Sequence, residues 1–349
     1  MEVSLRGLAD APAAGAALVV SDPTHVGEAR RAVTALGQRL GLDETFLGRL
    51  AIVATELAAN LVKHAGSGQV VVRPLADHGT LGFELAALDR GPGIADVARS
   101  LQDGYSTSGT AGTGLGAIRR LSDEFDVYSA SGRGTAVLSR LWVGGTPPSH
   151  RLQVGAICVP KPRETVAGDG WEVAHRPDGA RVVVVDGLGH GPDAHRAAVA
   201  ALTAAASEAG LPGSVVDACH YALRSTRGAA LAVADVDLEQ GRVRFAGLGN
   251  VAGGVLGTAR RQNFVSLNGT AGHGSVRVRE FEYAWPSRGL LVLATDGLAS
   301  RWSLDDYPGL AVRHPALVAA VLYRDHARGN DDVTVVVLRE RESGHECAP

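Results

Sequence analysis

Four aspartates set at turns are the residues of this chain best suited to chemistry: Asp169 in AGDGWEV, Asp186 in VVVVDGLGHG, Asp296 in LLVLATDGL and Asp331 in GNDDVTVVVL. The valines before Asp186 read as a buried strand, and the glycines after it break that run, so a carboxylate is presented at a strand end. Gly187 lets the backbone approach closely and offers its carbonyl as a further oxygen ligand. One packed sheet scaffold can gather the four carboxylates at a common edge. Hard oxygen donors of this kind suit magnesium or manganese. Two such cations about 4 Å apart clamp the oxygens of a phosphoester and bring the pKa of a bound water toward neutrality. His190, in GLGHG, is placed either to protonate a serine leaving group or to support the site from behind. Asn250 in GLGN is read as orienting the site.

A second set lies nearer the amino terminus. A helix capped by Asp43 is predicted to bury Phe46, Leu47, Leu50, Val53, Ala54 and Leu57. Glu56, Asn60, Lys63 and His64 share its polar stripe, at i, i+4, i+7 and i+8. A strand over Leu81–Leu88 then delivers Asp89 into DRGPGI. The run GTAGTGLGAIRRLSDEF, with Gly112, Gly114 and Gly116, opens into an amphipathic helix whose free N–H groups make a seat for phosphates. Phosphoryl transfer from ATP to a protein hydroxyl is mainly positioning and charge neutralisation. Magnesium at Asn60, donors from the glycine run and a carboxylate at Glu56 are sufficient for that.

The elements that must position these groups fall into two blocks. A first strand is expected over 16–22, followed by a helix capped by Thr24, with Val26, Ala29, Val33, Leu36 and Leu40 inside. Strands follow at Val70–Arg73 and Leu81–Leu88. Residues 144–150, GGTPPSH, read as a linker. Beyond it come a strand over Arg151–Val159, an alanine-rich helix from Pro192 to Ala209 and a helix over Ser214–Ser225. Strands then follow at Ala229–Asp237, Arg242–Leu248, Ala252–Leu256, Glu280–Ala284 and Gly289–Ala294. The expected domains are 1–143 and 151–341, with a tail over 342–349.

With 349 residues, the chain is long enough for two cores. A net charge of −3 argues against a nucleic-acid or membrane footprint. Cys158, Cys219 and Cys347 lie far apart without a Cys-x-x-Cys pair, which implies a reducing compartment and no structural zinc or disulfide framework. No apolar run approaches the roughly 20 residues of a membrane span. Cytoplasmic location is the resulting expectation.

The ordered motifs GDGWEV, VVDGLGHGPDA, FAGLGN, LATDGL and DDVTVVVL resemble the metal-dependent serine/threonine phosphatases of the SpoIIE and RsbX type. The resemblance implies that Asp186 bridges two Mn2+ or Mg2+ ions, that Gly187 adds its carbonyl, and that Asp169, Asp296 and Asp331 complete the site. Eukaryotic relatives grip phosphate with an arginine before the first acidic ligand, for which Arg163 is the nearest candidate. ELAANLVKHAG, DRGPGI and GTGLGAIRRLSDEFDVYS resemble the GHKL ATPases, and more narrowly the RsbT and RsbW switch kinases. By that resemblance Glu56 is the general base, Asn60 holds magnesium and Asp89 accepts from the adenine amino group. Gly91 and Gly93 then shape the adenine pocket, and Gly112, Gly114 and Gly116 wrap the phosphates of ATP. His64, on the ligand-bearing helix, is read as a packing or partner residue. Together these imply an α+β chain: a GHKL ATPase α/β sandwich followed by a four-layer α-β-β-α phosphatase sandwich. The implied function is a bacterial switch kinase fused to an opposing phosphatase that acts on STAS-domain regulators, with a sigma factor or a downstream signalling protein as a further partner. The alternative is a phosphatase whose first domain only binds nucleotide and sequesters a partner.

Overall fold

The computed structural model describes residues 16–77, 79–102, 114–257 and 261–341. Two compact units divide the chain: residues 1–148 with Leu304–Arg313, and 149–303 with 314–349.

In the first unit, β1 (Ala16–Val20) leads into α1 (Pro23–Arg39). Asp22 caps α1 by accepting from Thr24 N at 2.8 Å, and Pro23 presets the first helical φ. The cap is therefore Asp22 and not Thr24, because a carboxylate followed by proline outcompetes the hydroxyl two residues on. Asp43 caps α2 (Glu44–Asn60) through Phe46 N at 2.8 Å. The helix continues as a π turn over Leu61–Ala65 before β2 (Gly68–Asp77) and β3 (Thr80–Leu88). A single turn, α3 (Val97–Ser100), precedes α4 (Gly114–Leu121), β4 (Glu124–Ser129) and β5 (Thr135–Trp142). The sheet runs β1-β2-β3-β5-β4, antiparallel throughout. Val33, Leu50, Val53 and Leu57 of the helices pack on Val70, Val72, Phe83 and Leu85 of the sheet. The continuous helix Glu44–Ala65 spans 22 residues and is long and apolar enough by composition to cross a membrane. That corrects the expectation of no such run. Its apolar stripe is nevertheless spent on the sheet, and core helices pass the same test.

The second unit holds two five-stranded antiparallel sheets. Its elements are β6 (Leu152–Val159), β7 (Asp169–Arg176), β8 (Gly179–Gly187), α5 (Pro192–Ser207) and α6 (Pro212–Ala222), then β9 (Ala229–Asp237), β10 (Arg242–Leu248), β11 (Ala252–Leu256), β12 (Arg261–Asn263), β13 (Phe281–Ala284), β14 (Leu290–Ala294), α7 (Pro315–His326) and β15 (Val333–Glu340). One sheet runs β13-β10-β9-β8-β7 and the other β12-β11-β14-β15-β6. The four valines of β8 explain the layering, since Val182 and Val184 enter the core between the sheets while Val183 and Val185 meet α5 and α6. Helix α7 packs along β6 and β15, where Gly155 leaves room for the backbone of Ala316. The sequence reading omits α7. Pro315 through Arg324 are all buried, so no polar stripe marks a helical period.

Candidate functional site

The acidic site is built where the two sheets meet. β7 and β8 pair so that Asp169 stands directly across from Asp186. In the other sheet, Asp296 follows β14 and Asp331 precedes β15, two neighbouring strands that align Ala294 with Val335. The four carboxylates thus come from the two packed sheets of one sandwich. Thr295 ties the sheets together: its hydroxyl donates to Asp169 Oδ2 at 2.7 Å and accepts from Thr334 N at 2.9 Å. Asn250 Nδ2 donates to Asp296 Oδ2 at 2.6 Å, the orienting contact its position in GLGN suggests.

Asp332 is the residue that motif reading misses. Its two oxygens accept from Lys161 N at 2.8 Å and Gly168 N at 3.0 Å, which fixes the segment leading into Asp169. Gly187 N in turn donates to Gly168 O at 3.1 Å. A β-carbon on Gly187 would collide with Ala194 O, so the first turn of α5 leaves space for glycine alone. The one signal for Asp332 in the sequence is the doubled aspartate itself.

Burial, followed by the charges of Asp296, Asp331 and Asp332, pushes the Asp186 carboxyl up to about 7. Burial and then Asp186 hold Asp169 well above the usual carboxylate range, and burial raises Asp332. Asp186 thus keeps its proton near neutrality for want of counter-charge, and carboxylates gathered in this way are a donor set that divalent cations complete. His190 Nδ1 lies 2.7 Å from Glu164 Oε1, a second partnership that sequence alone does not reveal. Arg163 is exposed, with a φ of 76°.

In the first unit, Glu56 and Asn60 occupy the last turn of α2, and the amino terminus of α4 abuts them. A β-carbon on Gly114 would stand 3.2 Å from Asn60 Oδ1 and 3.5 Å from Glu56 Oε2. Asn60 Nδ2 is buried without a partner among the described residues, which leaves a polar atom for a bound group to satisfy. The backbone turns π directly after Asn60, and Lys63 and His64 on that turn are both exposed. Asp89 Oδ1 accepts from Gly91 N at 2.8 Å and Thr135 N at 3.1 Å. A β-carbon on Gly91 would lie 2.8 Å from that of Ala65, and Gly93, at φ 76°, sits against Ala130 O. Gly116 is buried in α4, and Gly112 lies outside the described residues.

Residues 19–140 match the histidine kinase-like ATPase domain family, and residues 176–341 match the stage II sporulation protein E (SpoIIE) family. Over 108 residues the chain is 38% identical to the serine/threonine-protein kinase RsbT of Bacillus subtilis (strain 168), covering 31% of this chain and 81% of that protein. The chain is an RsbT-like kinase domain fused to a SpoIIE-like phosphatase domain. A solved structure from work on the bacterial stressosome, a modular system adapted to control secondary messenger signalling, is 28% identical and covers 54% of this chain and 100% of its own, with a TM-score of 0.51. RsbX in complex with magnesium shares the fold at 18% identity, covering 56% of this chain and 98% of its own, with a TM-score of 0.50. These relationships place the RsbT–SpoIIE fusion among partner-switching proteins.

Proposed function

We propose that the fusion adds and removes phosphate on serines or threonines of STAS-type regulators in a sigma-factor or stress-response circuit. The observation that carries this reading is the convergence of Asp169, Asp186, Asp296 and Asp331 from two sheets onto one metal-ready edge, in a chain that also carries Glu56 and Asn60 against a helix start.

In the second unit, Asp186, Asp169, Asp296, Asp331 and the Gly187 carbonyl would hold two Mn2+ or Mg2+ ions, which supply a water acidic enough to attack a phosphoester near neutral pH. Magnesium on RsbX, a protein of the same fold, supports this choice of ion. Thr295 orients Asp169, and Asn250 orients Asp296. Glu164 fixes the His190 ring, which then offers a proton to the serine oxygen as it leaves. In the first unit, Asp89 meets the adenine amino group, and Gly91 and Gly93 keep the pocket shallow enough for a flat ring. Asn60 holds the magnesium of ATP, Gly112, Gly114 and Gly116 offer backbone donors, and Glu56 takes the proton of the accepting hydroxyl. The 38% identity to RsbT supports kinase activity. The buried thiols of Cys158 and Cys219 support a reducing, cytoplasmic setting.

The deciding experiment follows phosphorylation of candidate STAS regulators from the same organism with wild type, Glu56→Ala and Asp186→Asn. Loss of the kinase site should lower the phosphorylated fraction, and loss of the phosphatase site should raise it. A wild-type protein that binds ATP yet labels no verified partner favours the second reading, in which the first unit only sequesters.

A further inference from the structure

Just past the acidic site, the chain turns over a cationic corner. Leu188 N donates to Gly228 O at 2.9 Å, which stitches the GLGHG loop to the loop Thr226–Gly228. Arg227 reaches across this seam. Its Nη1 lies 3.3 Å from where a β-carbon of Gly189 would stand, and its Nη2 lies 2.7 Å from Asp193 Oδ2. Asp193 is shared, because Arg196 Nη2 binds its other oxygen at 2.5 Å. One carboxylate therefore faces two guanidinium groups, and Glu164, the carboxylate beside Gly191, is taken up by His190. Arg227 and Leu188 are both 51% exposed, so the corner offers a cation and an apolar side chain together.

The charge just inside this rim has the opposite sign. Asp169, Asp186, Asp296, Asp331 and Asp332 gather there, so an acidic side chain at the mouth is held only where a cation of the rim faces it. A phosphorylated side chain must point inward to reach the metals, and this leaves its sequence neighbours at the rim. We propose that Arg227 is a specificity residue, which selects phosphoproteins carrying an acidic side chain beside the phosphoserine or phosphothreonine. Asp193 competes for the same guanidinium and sets how strongly that selection operates. The inference rests on the phosphatase reading of the acidic site.

The test uses the full chain with Mn2+ and measures kcat/KM on two synthetic phosphoserine peptides, one flanked by Glu and one by Lys. p-Nitrophenyl phosphate, which has no flank, reports the chemistry alone. Wild type should prefer the Glu-flanked peptide by about two- to fivefold, the range of an exposed charge pair. Arg227→Glu should invert that ratio through KM, and Asp193→Asn, which removes the competitor, should increase it. An unchanged ratio in Arg227→Glu overturns the inference. So does an equal fall on both peptides and on p-nitrophenyl phosphate, which would assign Arg227 to the phosphoryl group. If wild type with Mn2+ hydrolyses none of the three, the phosphatase reading itself fails, and this inference with it.

Discussion

Replacing Asp186 by asparagine should stabilise the metal-free protein at alkaline pH while abolishing its response to metal. The Asp186 carboxyl is pushed up to about 7 from 3.8, first by burial and then by Asp296, Asp331 and Asp332. Because its folded pKa is raised, the native state keeps a proton that the unfolded chain releases. The associated stability is full below about pH 4 and is lost as pH rises through about 7. Between pH 5.5 and pH 8, one such group removes about 2 kcal/mol, at about 1.4 kcal/mol per pH unit. For a unit of this size that corresponds to a melting-temperature drop of roughly 4–8 °C. The asparagine amide cannot ionise, so the Asp186→Asn variant should lose that part of the pH dependence and melt above wild type at pH 8. Differential scanning calorimetry with chelator, at both pH values, reads the difference between the two proteins directly. Added Mn2+ should then raise the wild-type transition at pH 8 and leave the variant's in place. If the two metal-free proteins show the same pH dependence, repulsion at Asp186 is not what the fold stores there, and the metal assignment loses its physical basis.

Other perturbations probe the supporting contacts. Asp332→Ala should leave the Lys161 and Gly168 N–H groups unpaired, at about 1–3 kcal/mol each, and weaken metal affinity measured by titration calorimetry, although Asp332 is not assigned as a ligand. Gly187→Ala places a methyl against Ala194 O, and thermal melts should show the second unit losing its cooperative transition. Glu56→Ala should bind ATP with wild-type affinity yet lose phosphoryl transfer, whereas Asp89→Asn should weaken nucleotide binding itself by tenfold or more, about 1.4 kcal/mol. Fluorescence titration with a labelled nucleotide separates the two.

How far such sites can be read from sequence depends on what holds each residue in place. Asp186 and Asp89 are legible because a strand must end for a carboxylate to be exposed at its tip, and the glycines that end it stay visible in the chain. The valines of β8 announce two buried faces by the same logic. Asp332, Thr295 and Glu164 act through partners 171, 126 and 26 positions away, and no local spacing encodes such contacts. The π turn over Leu61–Ala65 escapes for a different reason: a 3.6-residue period read along the sequence carries no mark of where the backbone leaves it. Helix α7 escapes because amphipathicity is the signal of a helix with one wet face, and α7 has none.

The candidate sites of the two units are built from opposite kinds of ligand. The second unit gathers carboxylates where burial and then neighbouring charge raise Asp186 to about 7 and hold Asp169 above its usual range, a cost that bound divalent cations would relieve. The first unit offers neutral donors, an Asn60 amide nitrogen without a partner among the described residues and the start of α4, with Glu56 as the carboxylate beside them. A neutral cradle has little hold on a bare cation, and it gains one when the nucleotide brings its own negative charge. On the proposed reading, a chelator that removes free metal should silence phosphoserine hydrolysis before it weakens nucleotide binding to the first unit.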